Sequence, residues 1–257
     1  MVLIEISLSI IHFSVLKGSF KMKRIICALL ACVMCSSVAI GFSGCGCSDD
    51  QAPGYTIEET EPDLKSGDFG FFVINNDELM LTKYSGSDKD ITIPDSYNNY
   101  KVTAIGKSVF SSSDITSVVI PDTVKEIQDY AFYGCNNLSS VTLSKNLEVF
   151  GTNVFNLCRK LETIELPATI KDFGIYTFSA SGLKSVTIPE STTFTSIDHY
   201  AFYQCQQLKE VVLPATITSI EDDAFNDCPN PITIKAPNGS YSQNYAKKNN
   251  FAFEVVE

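Results

Sequence analysis

The chain has 257 residues, with no tryptophan and only two histidines, His12 and His199. A metal site built from several histidines is therefore excluded by the count. Basic residues are also scarce, since 19 Lys and Arg stand against 30 Asp and Glu and give a formal net charge of −11. Because such a chain repels phosphate groups, we expect no binding to nucleic acid.

Sequence motifs of catalysis are absent as well. The chain contains no P-loop, dinucleotide-binding fingerprint, nucleophile elbow or EF-hand loop. Acids such as Glu162 and Glu165 lie close together, but acids are common in this chain and are expected on a solvated face. We therefore expect a protein without catalytic residues, cofactors or bound metal.

The N-terminal part has the features of an export signal. Met22–Lys23–Arg24 is followed by an apolar run from Ile25 to Ile40. This combination is typical of a secretory signal, and the run is short for a permanent membrane span. It ends in Gly41–Phe42–Ser43–Gly44–Cys45, which resembles the lipobox of bacterial lipoproteins. The resemblance implies a lipid anchor on Cys45, and ordinary secretion is the alternative.

Three segments are expected to precede the folded part. Residues 1–21 are a second apolar stretch, which we interpret as an upstream extension rather than half of a transmembrane hairpin. Residues 22–44 form the predicted signal peptide. Residues 45–68 are rich in acids and contain two prolines, which predicts an extended, self-repelling tether.

Six phenylalanines recur at intervals of 22 to 24 residues. They are Phe110, Phe132, Phe155, Phe178, Phe202 and Phe225. A cysteine follows four of them after three residues, and a β-rich unit such as Val141–Leu143 or Ile164–Leu166 comes next. One such unit cannot bury its own apolar face, so the repeat predicts a solenoid whose stacked units share one core.

These repeats resemble the leucine-rich repeats of BspA-like bacterial cell-surface proteins. The family pattern is L-x-x-V/I-x-I/L-P-x-x-V/I-x-x-I-x-x-x-A-F-x-x-C, and the match extends from about Asp90 to Ile234 in six copies. The resemblance implies an α/β solenoid that is mostly β and curved, with repeats of about 23 residues and short parallel strands on its concave side.

Both ends of the solenoid are expected to carry caps, because an open end exposes core and strand edges. Residues 69–103 are predicted to form an N-terminal β-hairpin cap and a partial repeat. The repeats themselves occupy 104–235. In the C-terminal cap, residues 236–257, Ser240 is expected to begin a short helix, which a closing strand follows.

The repeat cysteines are expected to serve as packing residues. They are Cys135, Cys158, Cys205 and Cys228. Their separations contain no CxxC pair, so zinc is not expected. Equivalent residues of adjacent coils lie close enough for a disulfide, but a column of buried free thiols is our preferred interpretation.

Three surfaces are candidates for recognition. The first is the outward side of the strands, with Thr142, Glu162, Glu165, Lys184, Thr187, Lys209 and Glu210. The second consists of tyrosines that flank the phenylalanine column, although a packing role is expected for them. The third is the irregular fourth repeat, where Ser181 replaces the cysteine and an insertion lies between Glu190 and Thr195, although a bulge without a binding role is our preferred interpretation.

We expect a non-enzymatic surface lipoprotein that binds an extracellular protein or glycan and reaches the membrane only through its anchor. Resemblance to BspA-like proteins implies adhesion to host, matrix or neighbouring-cell macromolecules. Two alternatives stay open. One is an envelope scaffold that associates with itself, and the other is a glycan-binding component or enzyme.

Overall fold

The computed structural model describes residues 62–75, 77–191, 193–229 and 231–256. The predicted upstream extension, signal peptide and Cys45 lie outside these residues. Most of the predicted tether also lies outside them, but its last residues are not extended and separate from the fold as predicted. Leu64–Ser66 form a strand that pairs with Phe69–Asn75, so the folded unit includes the last residues of that segment.

Short strands dominate the described residues. They are β1 (Leu64–Ser66), β2 (Phe69–Asn75), β3 (Glu78–Tyr84), β4 (Asp90–Thr92), β5 (Ser96–Tyr97), β6 (Tyr100–Ile105), β7 (Ser117–Val119), β8 (Glu126–Ile127), β9 (Ser140–Thr142), β10 (Val149–Phe150), β11 (Ser185–Thr187), β12 (Ser196–Ile197), β13 (Glu210–Val212), β14 (Ser219–Ile220), β15 (Thr233–Ala236) and β16 (Ala252–Val255). The helix α1 spans Tyr241–Lys248.

Equivalent strands of successive repeats pair in parallel. β4, β7 and β9 form one sheet, and β11, β13, β15 and β16 form another. Val118 lies opposite Ile91 on one side and Val141 on the other. Each repeat is therefore one coil of a mostly β solenoid, which confirms the predicted fold. We call this line of strands the strand face.

Each coil contains one phenylalanine of the repeat, and the coils are numbered 1 to 6 from Phe110 to Phe225. Coil 1 is residues 90–116, coil 2 is 117–139, coil 3 is 140–162, coil 4 is 163–184, coil 5 is 185–209 and coil 6 is 210–232. The six phenylalanines are at most 4% exposed and stack face to face. Successive ring centroids from Phe110 to Phe225 are 5.1, 5.3, 5.8, 5.6 and 5.3 Å apart.

A second wall of strands was not expected from the sequence. β6, β8 and β10 pair in parallel along it, and β12 pairs with β14. Ile127 and Ile197 are fully buried there, in the position that Phe150 takes in coil 3. Apart from β6, these strands have two residues each. Two residues are too few for an alternating pattern to be recognised in the sequence.

Coil 4 lacks the strand that the sequence predicts at Ile164–Leu166. Most of the other strands on this face begin one residue before the predicted units, as β7 and β9 do, but no strand forms between residues 162 and 167. The strand face is therefore interrupted, and β9 and β11 are edge strands on either side of coil 4.

Extra phenylalanines in coils 3 to 5 explain this interruption. Phe173 packs against Phe178 at 5.4 Å and Phe194 at 4.7 Å between ring centroids. Phe150 adds a ring 5.8 Å from Phe173. Because these rings are bulkier than the isoleucines of other coils, they spread the strand face at coil 4. Backbone hydrogen bonds, such as that from the Phe155 amide to the Thr177 carbonyl at 2.8 Å, still hold coils 3 and 4 together at the phenylalanine column. The two widest steps of the phenylalanine column, 5.8 and 5.6 Å, are those on either side of Phe178.

Both ends are covered as predicted. β2 and β3 form an antiparallel hairpin, and β3 continues in parallel to β6. At the other end, the Ser240 hydroxyl accepts a hydrogen bond from the Gln243 amide at 3.2 Å and begins α1. Tyr245 of α1 packs 6.3 Å from the Phe225 ring. Within the described residues, no helix has the length and apolarity needed to cross a bilayer.

We predict that Phe155→Ala destabilises the chain by about 3–5 kcal/mol, because truncation leaves a cavity between two stacked rings. The free energy of unfolding is measured by urea denaturation. Ile175→Ala is the control, since Ile175 is 37% exposed and its truncation is expected to change stability by less than about 0.5 kcal/mol. Equal losses for the two variants would contradict a core built on the phenylalanine column.

Candidate functional site

The seven outward residues predicted as a ligand face all lie along the strand face. Six of them are exposed, namely Thr142, Glu162, Glu165, Lys184, Thr187 and Lys209, and Glu210 is half-buried. Thr142, Thr187 and Glu210 point away from the core because inward and outward positions alternate along each strand. The other four residues lie beside β11 and β13 or in the stretch at coil 4 that forms no strand. The strand face is thus a polar surface with small hydroxyl side chains and both signs of charge.

Ion pairs link neighbouring coils across this surface. Lys184 Nζ lies 2.5 Å from Glu162 Oε2. Lys235 Nζ lies 2.9 Å from one carboxylate oxygen of Glu210 and 2.9 Å from one of Glu254. Both carboxylates raise the pKa of Lys235 through hydrogen bonds. These pairs are solvent-exposed and contribute little to stability, but they fix charge positions on the face.

A groove of about 460 Å³ opens at the interruption between coils 3 and 4. Residues 139–145 form one wall and residues 163–167 form the other. Two predicted ligand-face residues line it from opposite walls, Thr142 and Glu165. The other five predicted residues are outside its lining. Sequence reasoning identified an irregular fourth repeat, but it did not locate this groove.

The groove reaches down to the core. Inward residues of the regular coils, such as Val118, Val186 and Leu213, are 1–2% exposed. At the interruption, Leu143 is 9% and Ile164 is 8% exposed, and their neighbours Val141 and Leu166 are only partly buried. The floor of the groove is therefore apolar, whereas its rim is polar.

The tyrosines occupy the opposite side of the coils. Tyr176 and Tyr200 stack at 4.7 Å between ring centroids with an interplanar angle of 4°, and Tyr203 meets Tyr200 edge-on at 5.5 Å. All three are half-buried. They pack against one another, as the packing interpretation expects.

His199 lies beside these rings in a cluster of acids. Its Nδ1 is 2.9 Å from Asp223 Oδ2, and its Nε2 is 3.6 Å from Glu221 Oε2. The hydrogen bond to Asp223 raises the pKa of His199 above its ordinary value. The ring is half exposed. No group of three or more metal-ligating side chains occurs in the part of the chain that the structure describes.

The four repeat cysteines are free thiols. Each one donates its S–H to the carbonyl oxygen of the phenylalanine one coil earlier, as in Cys135 to Phe110 at 2.9 Å and Cys205 to Phe178 at 3.0 Å. Burial raises the pKa of Cys135, and it raises that of Cys158 well above the usual range, so both stay protonated. The four cysteines therefore connect neighbouring coils through hydrogen bonds.

Comparison with known proteins gives a family match. The model of the BspA type leucine-rich repeat region, in six copies, matches residues 103–232 and 183–254, which together make up more than half of the chain. None of the curated proteins compared with the chain matches it.

Solved structures with a similar fold include three bacterial proteins. A leucine-rich cell surface protein of Faecalibacterium prausnitzii is 32% identical, with a TM-score of 0.59 over 68% of this chain and 50% of its own. A leucine-rich repeat protein of Bacteroides ovatus is 26% identical, with a TM-score of 0.62 over 67% and 47%. One from T. pallidum is 19% identical, with a TM-score of 0.58 over 74% and 97%, and shows the fold alone. The chain spans about half the length of the first two.

We predict that the His199 side chain titrates above its ordinary pKa of about 6.5. Because the pKa is raised in the folded state, pairing with Asp223 stabilises the fold fully below about pH 6.5 and is lost as the pH rises through the raised value. NMR titration of the His199 ring protons measures the pKa, and loss of the signal in His199→Asn assigns it.

Asp223→Asn should lower that pKa towards its ordinary value. Asp222→Asn is the matched control, because Asp222 pairs with Lys248 at 2.8 Å instead of with the histidine. A His199 pKa that both variants lower equally would contradict the assigned pairing.

Proposed function

The chain belongs to the BspA-type leucine-rich repeat family, and we propose that it is a non-enzymatic binding protein of the bacterial cell surface. Its partner is an extracellular protein or glycan, and its role is adhesion to host, matrix or neighbouring-cell macromolecules. The observation that carries this proposal is the interrupted strand face, which offers a polar surface around a groove of about 460 Å³. That volume is within the range of about 300–1,000 Å³ usual for ligand sites.

Two observations support a location outside the cytoplasm. The similar F. prausnitzii structure is that of a cell surface protein. The sequence before the solenoid has the features of an export signal and ends in a lipobox-like Gly44–Cys45. We therefore place a diacylglyceryl anchor on Cys45 and the acidic segment between the membrane and the solenoid.

Self-association is the second candidate function, and the C-terminal edge of the solenoid favours it. β16 pairs with β15 on one side and ends its sheet on the other. Val255 in β16 is 60% exposed. Such an edge can add a strand of another molecule. Sedimentation of the purified chain over a range of concentrations distinguishes an assembling scaffold from a monomeric binding protein.

The anchor is tested by Cys45→Ala. The unchanged chain, expressed in a bacterium that processes lipoproteins, is expected to partition into detergent and to have the mass of a diacylated product that begins at Cys45. The variant should lack the added mass of the diacylglyceryl group, because it has no thiol to acylate. If the variant carries the same added lipid mass, the anchor is not on Cys45.

The binding face is tested by exchanging charges within an ion pair. Glu162→Lys with Lys184→Glu keeps the net charge but rearranges the strand face. Glu148→Lys with Lys171→Glu is the control. It also keeps the net charge, but it exchanges the charges of a similarly exposed pair that joins coils 3 and 4 at the second wall. We predict that only the first exchange lowers binding to an array of purified matrix glycoproteins, by at least about tenfold. Equal binding by both variants would contradict recognition through the strand face.

A further inference from the structure

We propose that the groove between coils 3 and 4 is a slot for one extended segment of a partner protein, which adds to the free edge of β9 as a strand. The inference deepens the proposed function and rests on it, since it names the chemical class of the partner and its mode of binding. The segment alternates apolar and polar side chains and places a lysine or arginine beside Glu165.

The backbone of β9 is satisfied on one side only. Towards coil 2, the Ile120 amide donates to the Thr142 carbonyl at 2.9 Å, and the Ser139 amide donates to the Thr116 carbonyl at 2.9 Å. Towards coil 4, no backbone hydrogen bond joins residues 139–143 to residues 162–166 in the described structure. In a parallel ladder, the amides of Val141 and Leu143 and the carbonyl of Val141 point to that side.

Those groups match an extended polypeptide. Free amides and carbonyls that alternate along a strand edge are complementary to another strand, which supplies the same groups at the same spacing. In the register of the neighbouring coils, one added strand would receive hydrogen bonds from both amides and donate one to the Val141 carbonyl. The added strand would also extend the sheet that β4, β7 and β9 already form.

The apolar floor selects the side chains that point inward. Val141 and Leu166 are only partly buried, although the equivalent Val118 and Ile188 are 1% and 3% exposed. A bound strand with valine or isoleucine at its inward positions covers these residues and removes apolar surface from water. The groove lining contains no aromatic side chain on which a flat ring ligand would stack.

Charge complementarity selects one outward side chain. Glu165 lines the groove on the wall opposite Thr142, and no cation of the described residues lies within ion-pair distance of it. Elsewhere on the strand face, carboxylates pair with a lysine of the adjacent strand. Lys235 of β15 is held at 2.9 Å by Glu210 of β13 and Glu254 of β16. A lysine at the middle outward position of the segment repeats this arrangement.

The test uses the full chain and a synthetic hexapeptide with the sequence of residues 184–189, in which lysine replaces the threonine. This probe carries valine and isoleucine at inward positions and lysine at the outward one. A second peptide has the same side chains but N-methyl groups on its serine and substituted lysine amides, which removes the hydrogens donated to the Ser139 and Val141 carbonyls. Fluorescence anisotropy of the labelled peptides measures binding.

We expect saturable binding of the first peptide and at least tenfold weaker binding of the N-methylated one. Glu165→Lys should weaken binding of the first peptide at least fivefold. Asp77→Lys, which changes the net charge equally but lies in the N-terminal hairpin, should leave it unchanged. Absence of saturable binding, or equal binding of both peptides, would overturn the strand-addition proposal.

Failure of this inference is distinguishable from failure of the proposed function. If the strand-face charge exchange abolishes binding to matrix glycoproteins while neither peptide binds, the face recognises its partner without strand addition, and the inference is wrong. If the peptide binds as expected but no glycoprotein does, the slot is present and the adhesion role is wrong.

Discussion

Stacking of one phenylalanine per coil is the interaction on which the rest of the structure depends. Successive ring centroids of the column are 5.1 to 5.8 Å apart, and this stacking holds the coils together beside strands that prefer a spacing of about 4.7–4.9 Å. Where the rings are closest, the strands pair in parallel and the cysteine thiols reach the carbonyls one coil earlier. Where additional rings such as Phe173 widen the core, the column opens to 5.8 Å and the strand ladder is lost. One packing constraint therefore determines both the regular solenoid and its single interruption among the described coils.

The interruption turns a uniform surface into one with a specific place for a partner. A regular strand face offers side chains alone, because its backbone groups are already paired. At coil 4 the structure adds free backbone groups, an apolar floor and an unpaired carboxylate at Glu165. Combined with the small polar side chains around it, this gives a surface on which hydrogen bonding to an extended chain contributes affinity and side chains contribute selectivity. Such a mode of binding suits the proposed function.

The repeat made most of the fold predictable from the sequence. Six copies in one register identify the coils and the phenylalanine column, and the segments on either side identify both caps, including the helix that begins after Ser240. The second wall escaped prediction because strands of two residues leave no alternating pattern. The groove escaped for another reason. Its signal is the presence of Phe150, Phe173 and Phe194 where other coils carry smaller apolar residues, and each substitution alone is an ordinary conservative one. Only their contact in three dimensions shows that the strand face must open at coil 4.

Hydrogen exchange of individual backbone amides tests this account most directly, because it reports whether the strand face is interrupted in solution. In the full chain without a partner, we predict that the amides of Val141 and Leu143 exchange at least about tenfold faster than those of Val118 and Ile120, since the former lack the hydrogen bonds that protect the latter. Equal protection at the four positions would mean that the ladder continues through coil 4, and it would contradict both the interruption and the slot derived from it.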